Sequence, residues 1–153
     1  MPEFSTTRSV RHSAAEMFDL VADIEHYPEF VPLCRGLKVR SRTPQAEGVE
    51  VVVADMTVSH SFMHEIFTSR VTLDRPSLQI HVEYLKGPFS KLKNRWNFHA
   101  TGEKTCDVEF FIAYEFRSWT LDLIMGATFD AAFRRFAAAF ERRADQIYAR
   151  KIA

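Results

Sequence analysis

Residues 121–147 read LDLIMGATFDAAFRRFAAAFERRADQI, and this stretch decides the fold because it predicts one long amphipathic helix. Apolar side chains recur at three- and four-residue intervals, the spacing that lines one face of an α-helix. These positions are Leu121, Met125, Phe129, Ala132, Phe133, Phe136, Phe140, Ala144 and Ile147. The opposite face is mostly charged, at Asp122, Arg134, Arg135, Glu141, Arg142 and Arg143. We expect a helix of roughly 30 residues, about 45 Å long at about 1.5 Å per residue.

Upstream of this helix, residues 33–116 alternate apolar and polar side chains, which is the period-two pattern of β-strands. We expect about six strands in a meander, because turn signals interrupt the alternation. The signals lie at Thr43–Pro44, Glu47–Gly48, Asp74–Ser77, Lys86–Pro88 and Thr101–Gly102. The boundary near residues 59–62 contains no Gly or Pro, so a tight turn and a continuous bent strand both fit it.

The N-terminal segment predicts one strand followed by two short helices. Glu3–Val10 is rich in Ser, Thr and β-branched residues, which favours a strand. Ser13 and Glu16 have the Ser-x-x-Glu spacing of a capping box, so a helix begins there, and a second helical turn is expected over Glu25–Val31. This order predicts an α+β fold in a single domain, residues 1–153. A curved antiparallel sheet of about seven strands wraps around the C-terminal helix.

Composition excludes several classes of function. The 20 basic and 20 acidic residues cancel, so no net field attracts nucleic acid, and we expect no DNA partner. No apolar run approaches the roughly 18 residues that span a bilayer, and the N-terminus lacks the layout of a signal peptide. We expect a cytoplasmic protein that touches a membrane only peripherally, at its inner face. Cys34 and Cys106 are expected to be buried packing residues rather than a disulfide framework.

A gap is expected between the long helix and the sheet, because a twisted sheet cannot pack flush against a straight helix along its full length. The 14 phenylalanines supply large rings to line this gap, although such rings also interlock as a solid core, and both interpretations remain open. Met125 and Gly126 would give an adaptable, thin-walled place for a ligand in the first half of the helix. The candidate ligand contacts are Phe30, Tyr84, Phe89, Asn94, Trp96, Phe98, Phe110, Ile112, Tyr114, Leu121, Met125, Phe129, Phe133 and Phe136.

Two stretches resemble the signature segments of a known family, and a third segment is similar as well. They are His26–Cys34 (HYPEFVPLC) and Gly87–Phe98 (GPFSKLKNRWNF), and Phe140–Ala144 (FERRA) is similar too. The chain resembles, over essentially its whole length, the coenzyme Q-binding branch of the START-like, helix-grip superfamily. The resemblance implies a cavity that holds ubiquinone as a bound ligand, with no other cofactor. It also implies a role as a quinone chaperone that supports respiration or ubiquinone synthesis, with transient contacts to the membrane or to proteins of those processes.

The same resemblance implies a rival role. Bacterial members of the family have been described as toxin-like factors that bind ribosomal subunits and block their association. Basic residues cluster on the second strand and along one face of the sixth, where they could contact RNA phosphates, although an ordinary solvated sheet face explains them more simply. These residues are Arg35, Lys38, Arg40, Arg42, Lys91, Lys93 and Arg95.

Polar and aromatic residues near the predicted cavity allow two interpretations each. The Asn94 amide could donate to a quinone oxygen or to a neighbouring backbone group, and the Tyr84 phenol presents the same ambiguity. We expect Gly87–Phe89 and Arg117–Trp119 to meet at one end of the sheet as the lip of the pocket. Phe89 and Trp119 would contact a membrane interface if exposed, or pack into the core if not.

Catalysis is not indicated by any motif, and we do not expect an enzyme. His60 and His64 are four residues apart, which in a single strand separates them by about 13 Å and prevents a shared metal ion. START-like folds do include cyclases and dehydratases, so a hidden acid–base pair is the remaining alternative. Its candidates are Asp55, Glu65, Glu83, His64 and His81, which we expect mostly on the outer faces.

Overall fold

The chain is described here by a computed structural model that covers residues 2–61 and 63–148. Its elements in order are β1 (Glu3–Val10), α1 (Ala14–Ala22), a 3-10 helix (Ile24–Glu29), β2 (Cys34–Ala46), β3 (Val49–His60), β4 (Met63–Asp74), β5 (Gln79–Lys86), β6 (Phe89–Gly102), β7 (Thr105–Phe116) and α2 (Trp119–Tyr148). The expected sequence of strand, two short helices, six strands and long helix is confirmed. So is the α+β fold class.

The seven strands form one antiparallel sheet in the order β1-β7-β6-β5-β4-β3-β2. The six strands from β2 to β7 pair with their sequence neighbours, and β1 adds to the far side of β7. β1 and β2 are therefore the two edges. The helix α2 packs on the concave face, mainly against β7 and β1.

Local sequence explains where the helices begin. The Ser13 hydroxyl accepts a hydrogen bond from the Glu16 backbone N–H, and the Glu16 carboxylate accepts one from the Ser13 backbone N–H, both at 3.0 Å. This is the predicted capping box, which satisfies two backbone donors left unpaired at a helix start. Ser118 caps α2 in the same way, since its hydroxyl accepts a hydrogen bond from the Leu121 N–H at 3.1 Å.

The buried face of α2 agrees closely with the predicted apolar stripe. Met125, Phe129, Phe133, Phe140 and Ala144 each expose 4% of their surface or less. The stripe ends sooner than expected at the C-terminal end, because Ile147 remains 36% exposed. No helix in the described part of the chain is both long enough and apolar enough to cross a membrane.

Two strand boundaries differ from the sequence prediction. Thr43–Pro44 lies inside β2 and is not a turn; proline is tolerated there because β2 is an edge strand and the pairing register shifts between Pro44 and Ala46. Similarly, β6 continues through Thr101–Gly102, and the chain reverses at the next two residues before β7 begins at Thr105. The boundary left open at residues 59–62 is a tight turn, with Ser61 at a φ of 58°, while Phe62 lies outside the described residues.

Candidate functional site

A cavity lies between the middle of α2 and the part of the concave face formed by β2 to β6, reaching Ile112 of β7. Its volume is about 80 Å³. Lining residues are Ile24, Tyr27, Leu37, Ala54, Met56, Phe67, Ser69, Val71, Ile80, Val82, Leu92, Asn94, Trp96, Ile112, Phe133, Phe136 and Phe140. The wall is apolar apart from a few side-chain atoms, so the cavity suits an apolar ligand.

The cavity forms where side chains on the sheet are short. Alternation along each strand places Ala54, Ser69 and Val71 on the concave face, and none of them reaches far enough to fill the space below α2. Larger residues close its borders, with Trp96 on the sheet and Phe140 on the helix in edge-on contact at 5.0 Å between ring centroids. The half-exposed Leu37, Met56 and Phe136 complete the wall.

Three polar groups belong to this wall. Tyr27 donates its hydroxyl hydrogen to the Val21 carbonyl, and burial raises the pKa of its phenol well above the ordinary value. Asn94 donates from Nδ2 to the Phe111 carbonyl at 2.9 Å. Ser69 is 7% exposed, and its hydroxyl forms no hydrogen bond within residues 2–61 and 63–148. The wall therefore offers hydrogen bonding rather than a proton-transferring acid or base.

Asn94, Trp96, Ile112, Phe133 and Phe136 are the predicted site residues that the fold brings to the cavity. Asn94 forms the hydrogen bond to a neighbouring backbone carbonyl that one of its two interpretations predicted. The second amide hydrogen and the carbonyl oxygen of Asn94 have no protein partner among the described residues.

Most of the other predicted contacts lie outside the cavity, in a cluster of packed aromatic rings. Phe89 stacks on Phe116 at 4.9 Å and meets Phe129 edge-on at 5.5 Å between centroids. The rings of Tyr114 and Phe110, like that of Phe98, contact other aromatic side chains of this half of the sheet. These residues pack against one another below α2 and do not line the cavity.

The remaining predicted contacts also lie beside the cavity rather than in it. Phe30 covers Phe140 from outside, with centroids 5.0 Å apart. Leu121 and Met125 belong to the first turns of α2, whereas the cavity meets the helix from Phe133 onward. The expected thin-walled place near Met125 and Gly126 is therefore not part of it, because Met125 is packed to 2% exposure.

The predicted lip does form at one end of the sheet. The Arg117 backbone N–H donates to the Pro88 carbonyl at 3.0 Å, and its guanidinium donates to the Gly87 carbonyl at 3.1 Å. The two aromatic residues of the lip differ, since Phe89 is 3% exposed and Trp119 is 77% exposed. Tyr84 supports this turn, because its hydroxyl accepts a hydrogen bond from the Phe89 N–H at 3.0 Å.

Sequence reasoning missed the lining residues of β2, β3 and β4, among them Leu37, Met56 and Ser69. Alternation in those strands was visible, but it shows only which residues share a face and not how deep that face lies. A single serine between Phe67 and Val71 on an otherwise apolar face was the signal that could have indicated a site there.

Candidate acid–base residues lie away from the cavity. Asp55 on the outer face binds Thr68 and Arg40, and these hydrogen bonds lower the pKa of its carboxyl. Glu65 lies near the start of β4, and alternation places it on the face of Phe67 rather than on the outer face, but it is not among the cavity-lining residues. His60 and His64 occupy two strands of a hairpin, contrary to the single strand assumed from the sequence, and because Ser59 pairs with His64 they project from opposite faces. The described residues contain no cluster of three His, Cys, Asp or Glu side chains suited to a metal ion.

Basic residues of the outer surface fall into two groups. On β2, Arg40 pairs with Asp55, and Arg42 pairs with Glu25 and Glu50, so acidic partners neutralise this cluster. On β6, Lys91 and Lys93 are exposed and form no ion pair with any described residue. The β6 row is therefore the more available of the two.

Comparison with known proteins gives consistent relatives over nearly the whole chain. Residues 10–141 match the family described as "Polyketide cyclase / dehydrase and lipid transport". The chain is 32% identical over 148 residues to the ribosome association toxin RatA of Escherichia coli (strain K12), covering 97% of this chain and 90% of that protein. It is 28% identical over 153 residues to the mitochondrial coenzyme Q-binding protein COQ10 homolog B of Xenopus laevis, covering 97% of this chain and 60% of that protein.

Solved structures agree on the fold. The solution structure of the 18 kDa protein CC1736 from Caulobacter crescentus matches with a TM-score of 0.77 and 34% identity, covering 97% of this chain and 99% of that one. A START superfamily protein from Mycobacterium smegmatis matches with a TM-score of 0.75 and 21% identity, covering 95% of this chain and 98% of that one, a likeness that concerns the fold alone. The resemblance drawn from the signature stretches is confirmed.

Proposed function

This chain belongs to the family of polyketide cyclases, dehydrases and lipid-transport proteins, and from that premise we propose that it carries an isoprenoid quinone in the cavity below α2. The observation that carries the proposal is the cavity itself, an apolar space on the concave face whose wall holds only isolated polar groups. A quinone matches this distribution, because it combines an apolar ring and tail with a few carbonyl oxygens. The relative named as a coenzyme Q-binding protein supports the same ligand class.

The cavity is small for a substituted quinone ring, so quinone binding depends on a change in its wall. An apolar cavity of roughly 150 Å³ binds benzene, and this cavity holds about 80 Å³. A substituted ring with a tail therefore requires the wall to move outward. Partly buried Met56 and Phe136 are the side chains best placed to do so, because neither is fully buried and methionine adapts easily.

Loading from a bilayer is part of the proposal, because isoprenoid quinones reside there. The first turns of α2 expose Trp119, Leu123 and Ile124, at 77%, 69% and 59% of their surface. Tryptophan favours the water–lipid boundary, and neighbouring aliphatic side chains would enter the acyl region. We propose that this end of α2 contacts the membrane surface during loading.

Titration with a short-tailed ubiquinone tests the proposed carrier function. Trp96 lines the cavity, and a Trp119→Phe variant would leave Trp96 as the single tryptophan, so a bound quinone ring should quench its fluorescence to a saturable limit. A tail alcohol without the ring serves as the control and should not quench. Linear, unsaturable quenching by the quinone would contradict binding in the cavity.

Association with the ribosome is the second candidate function. The relative named as a ribosome association toxin has the higher identity of the two relatives, and the unpaired Lys91 and Lys93 on β6 offer contacts for RNA phosphates. Sedimentation with purified ribosomal subunits tests it. Phosphate contacts require that co-sedimentation fall steeply with added salt and with a Lys91→Glu, Lys93→Glu double variant. Co-sedimentation that is unaffected by salt and by the double variant would contradict a role for this surface.

A further inference from the structure

Ser69 is a polar residue of the cavity wall. Its side chain is 7% exposed and lines the cavity, and its hydroxyl forms no hydrogen bond with a residue in 2–61 or 63–148. The hydroxyl is nevertheless not sealed from its surroundings, since the fully buried side-chain atom without a partner among these residues is Nε of Arg143. The Ser69 oxygen therefore retains accessible surface beside the cavity.

A hydroxyl with accessible surface and no protein partner is available to a hydrogen-bonding group in the cavity. Water can pair with it when the cavity holds no ligand, and an oxygen of a bound ligand can take the place of that water. Because Ser69 lines the cavity, its hydroxyl is placed to bind a polar group of a ligand there.

Asn94 is the complementary polar group of the same wall. In the ladder, Ser69 pairs with Tyr84, while Val71 pairs with Val82 and Val82 with Asn94. Ser69 and Asn94 are therefore two strands and two residues apart on one face, about 12 Å between Cα atoms for flat strands about 4.8 Å apart. Because the face is concave, their side chains converge toward the space between them. The bond from Asn94 to the Phe111 carbonyl fixes the orientation of its amide.

We propose that Ser69 and Asn94 hold the two oxygen-bearing sides of a para-substituted ring, with Ser69 as the principal hydrogen-bonding contact. This inference rests on the proposed quinone-carrier function and specifies how the ring is oriented. The two oxygens of a 1,4-quinone lie on opposite edges of the ring, so polar groups on two sides of the cavity can reach both. The apolar residues between them contact the ring and its tail.

The chemistry of these two groups also determines which redox forms fit. A serine hydroxyl can donate or accept a hydrogen bond, and an asparagine amide has both kinds of atom. Ser69 can donate to a quinone carbonyl and accept from a quinol hydroxyl without any change in its own charge. The site is therefore expected to bind the oxidised and reduced forms with similar affinity.

Calorimetric titration of wild type and Ser69→Ala with a short-tailed ubiquinone and with the corresponding quinol tests the proposal. We expect Ser69→Ala to lower the affinity for both ligands about tenfold, which corresponds to the loss of one hydrogen bond of about 1.4 kcal/mol. Thermal unfolding without ligand gives the second readout. The variant should be about as stable as wild type, because the Ser69 hydroxyl forms no hydrogen bond with the described residues, so lost affinity cannot be attributed to misfolding.

A matched control separates the cavity hydroxyl from serine replacement in general. Ser41 is an exposed serine of β2, and Ser41→Ala should leave both affinities unchanged. Equal affinity of wild type and Ser69→Ala for the quinone would overturn the role of Ser69 and leave the carrier function intact. Absence of binding by wild type itself would overturn both. Lower affinity for the quinone alone, with unchanged affinity for the quinol, would contradict the proposal that Ser69 binds both redox forms.

Discussion

The two halves of the concave face are filled in different ways. Under β7, β1 and the ends of β6, aromatic rings pack against one another and against α2, as in the contacts of Phe89 with Phe116 and Phe129 at 4.9 and 5.5 Å. Under β2 to β5 and the middle of β6, shorter side chains such as Ala54 and Val71 face the helix, and the cavity opens there. We call these the packed half and the open half.

The difference shows that clustered aromatic residues in this chain fill space rather than line it. Large rings in adjoining strands contact each other edge-on and leave little space, so they stabilise the fold and position α2. Space for a ligand remains where the facing side chains are small. The packed half anchors the helix, and the open half contains the cavity.

The largest expected effect is on the packed half. Phe129→Ala should lower the free energy of unfolding by about 3–5 kcal/mol, because Phe129 is 1% exposed and its removal leaves a space that rigid rings cannot refill. Urea denaturation measures this loss. Phe136→Ala on the same helix is the matched comparison, and it should cost clearly less because Phe136 is half-buried and already borders the cavity. Equal losses would remove the distinction between the halves.

Much of the fold was predictable, because the signals that define it are local. The capping box at Ser13 and Glu16, the period-two strands and the 3.6-residue stripe of α2 each depend on a few neighbouring residues. Pro44 was misinterpreted because its meaning depends on whether β2 is central or at an edge.

The cavity was less predictable, because its depth depends on which strand lies beneath which turn of the helix. Phe89 and Phe133 look alike in the sequence, but the fold buries the first in the ring cluster and brings the second to the cavity. Ser69 lies on β4, far in sequence from the helix residues that cover it. Its position on the same face as Asn94 follows from the register of β4, β5 and β6, which the sequence does not show.

Enlarging a side chain should destabilise the packed half more than the open half, with an effect of intermediate size. Ala137→Leu on α2 should cost about 1–3 kcal/mol, since Ala137 is 5% exposed and does not border the cavity. Ala54→Leu should cost less, because its new carbon atoms extend into existing space, and it should weaken quinone binding. Thermal unfolding of the two variants makes the comparison, and a larger loss for Ala54→Leu would contradict an open space beside Ala54.

High pH should lower the free energy of unfolding through one buried thiol in β2 and one in β7. Burial raises the pKa of Cys34 in β2 and of Cys106 in β7 from 9.0 to about 11. Above pH 9 the unfolded thiols ionise while the folded ones do not, so this stabilisation is complete below pH 9 and is lost as pH rises through about 11. Urea denaturation across this range should show a shallower decline for Cys34→Ala and for Cys106→Ala. An unchanged slope for Cys34→Ala would mean that water reaches the first residue of β2.

The smallest effect on stability is expected at the lip. Trp119→Ala should change the free energy of unfolding by less than about 0.5 kcal/mol, because the side chain is 77% exposed. The same variant should reduce flotation with anionic phospholipid vesicles, and Thr120→Ala, an exposed neighbour, is the control. Undiminished flotation would exclude Trp119 from the membrane contact.

Mass spectrometry of an organic extract from the purified protein tests the central claim most directly, namely that the open half holds an isoprenoid quinone. The account predicts a quinone in near-stoichiometric amount with wild type, and a strongly reduced amount with Ala54→Leu purified in the same way. An extract of wild type without quinone, or an equal amount from Ala54→Leu, would contradict it.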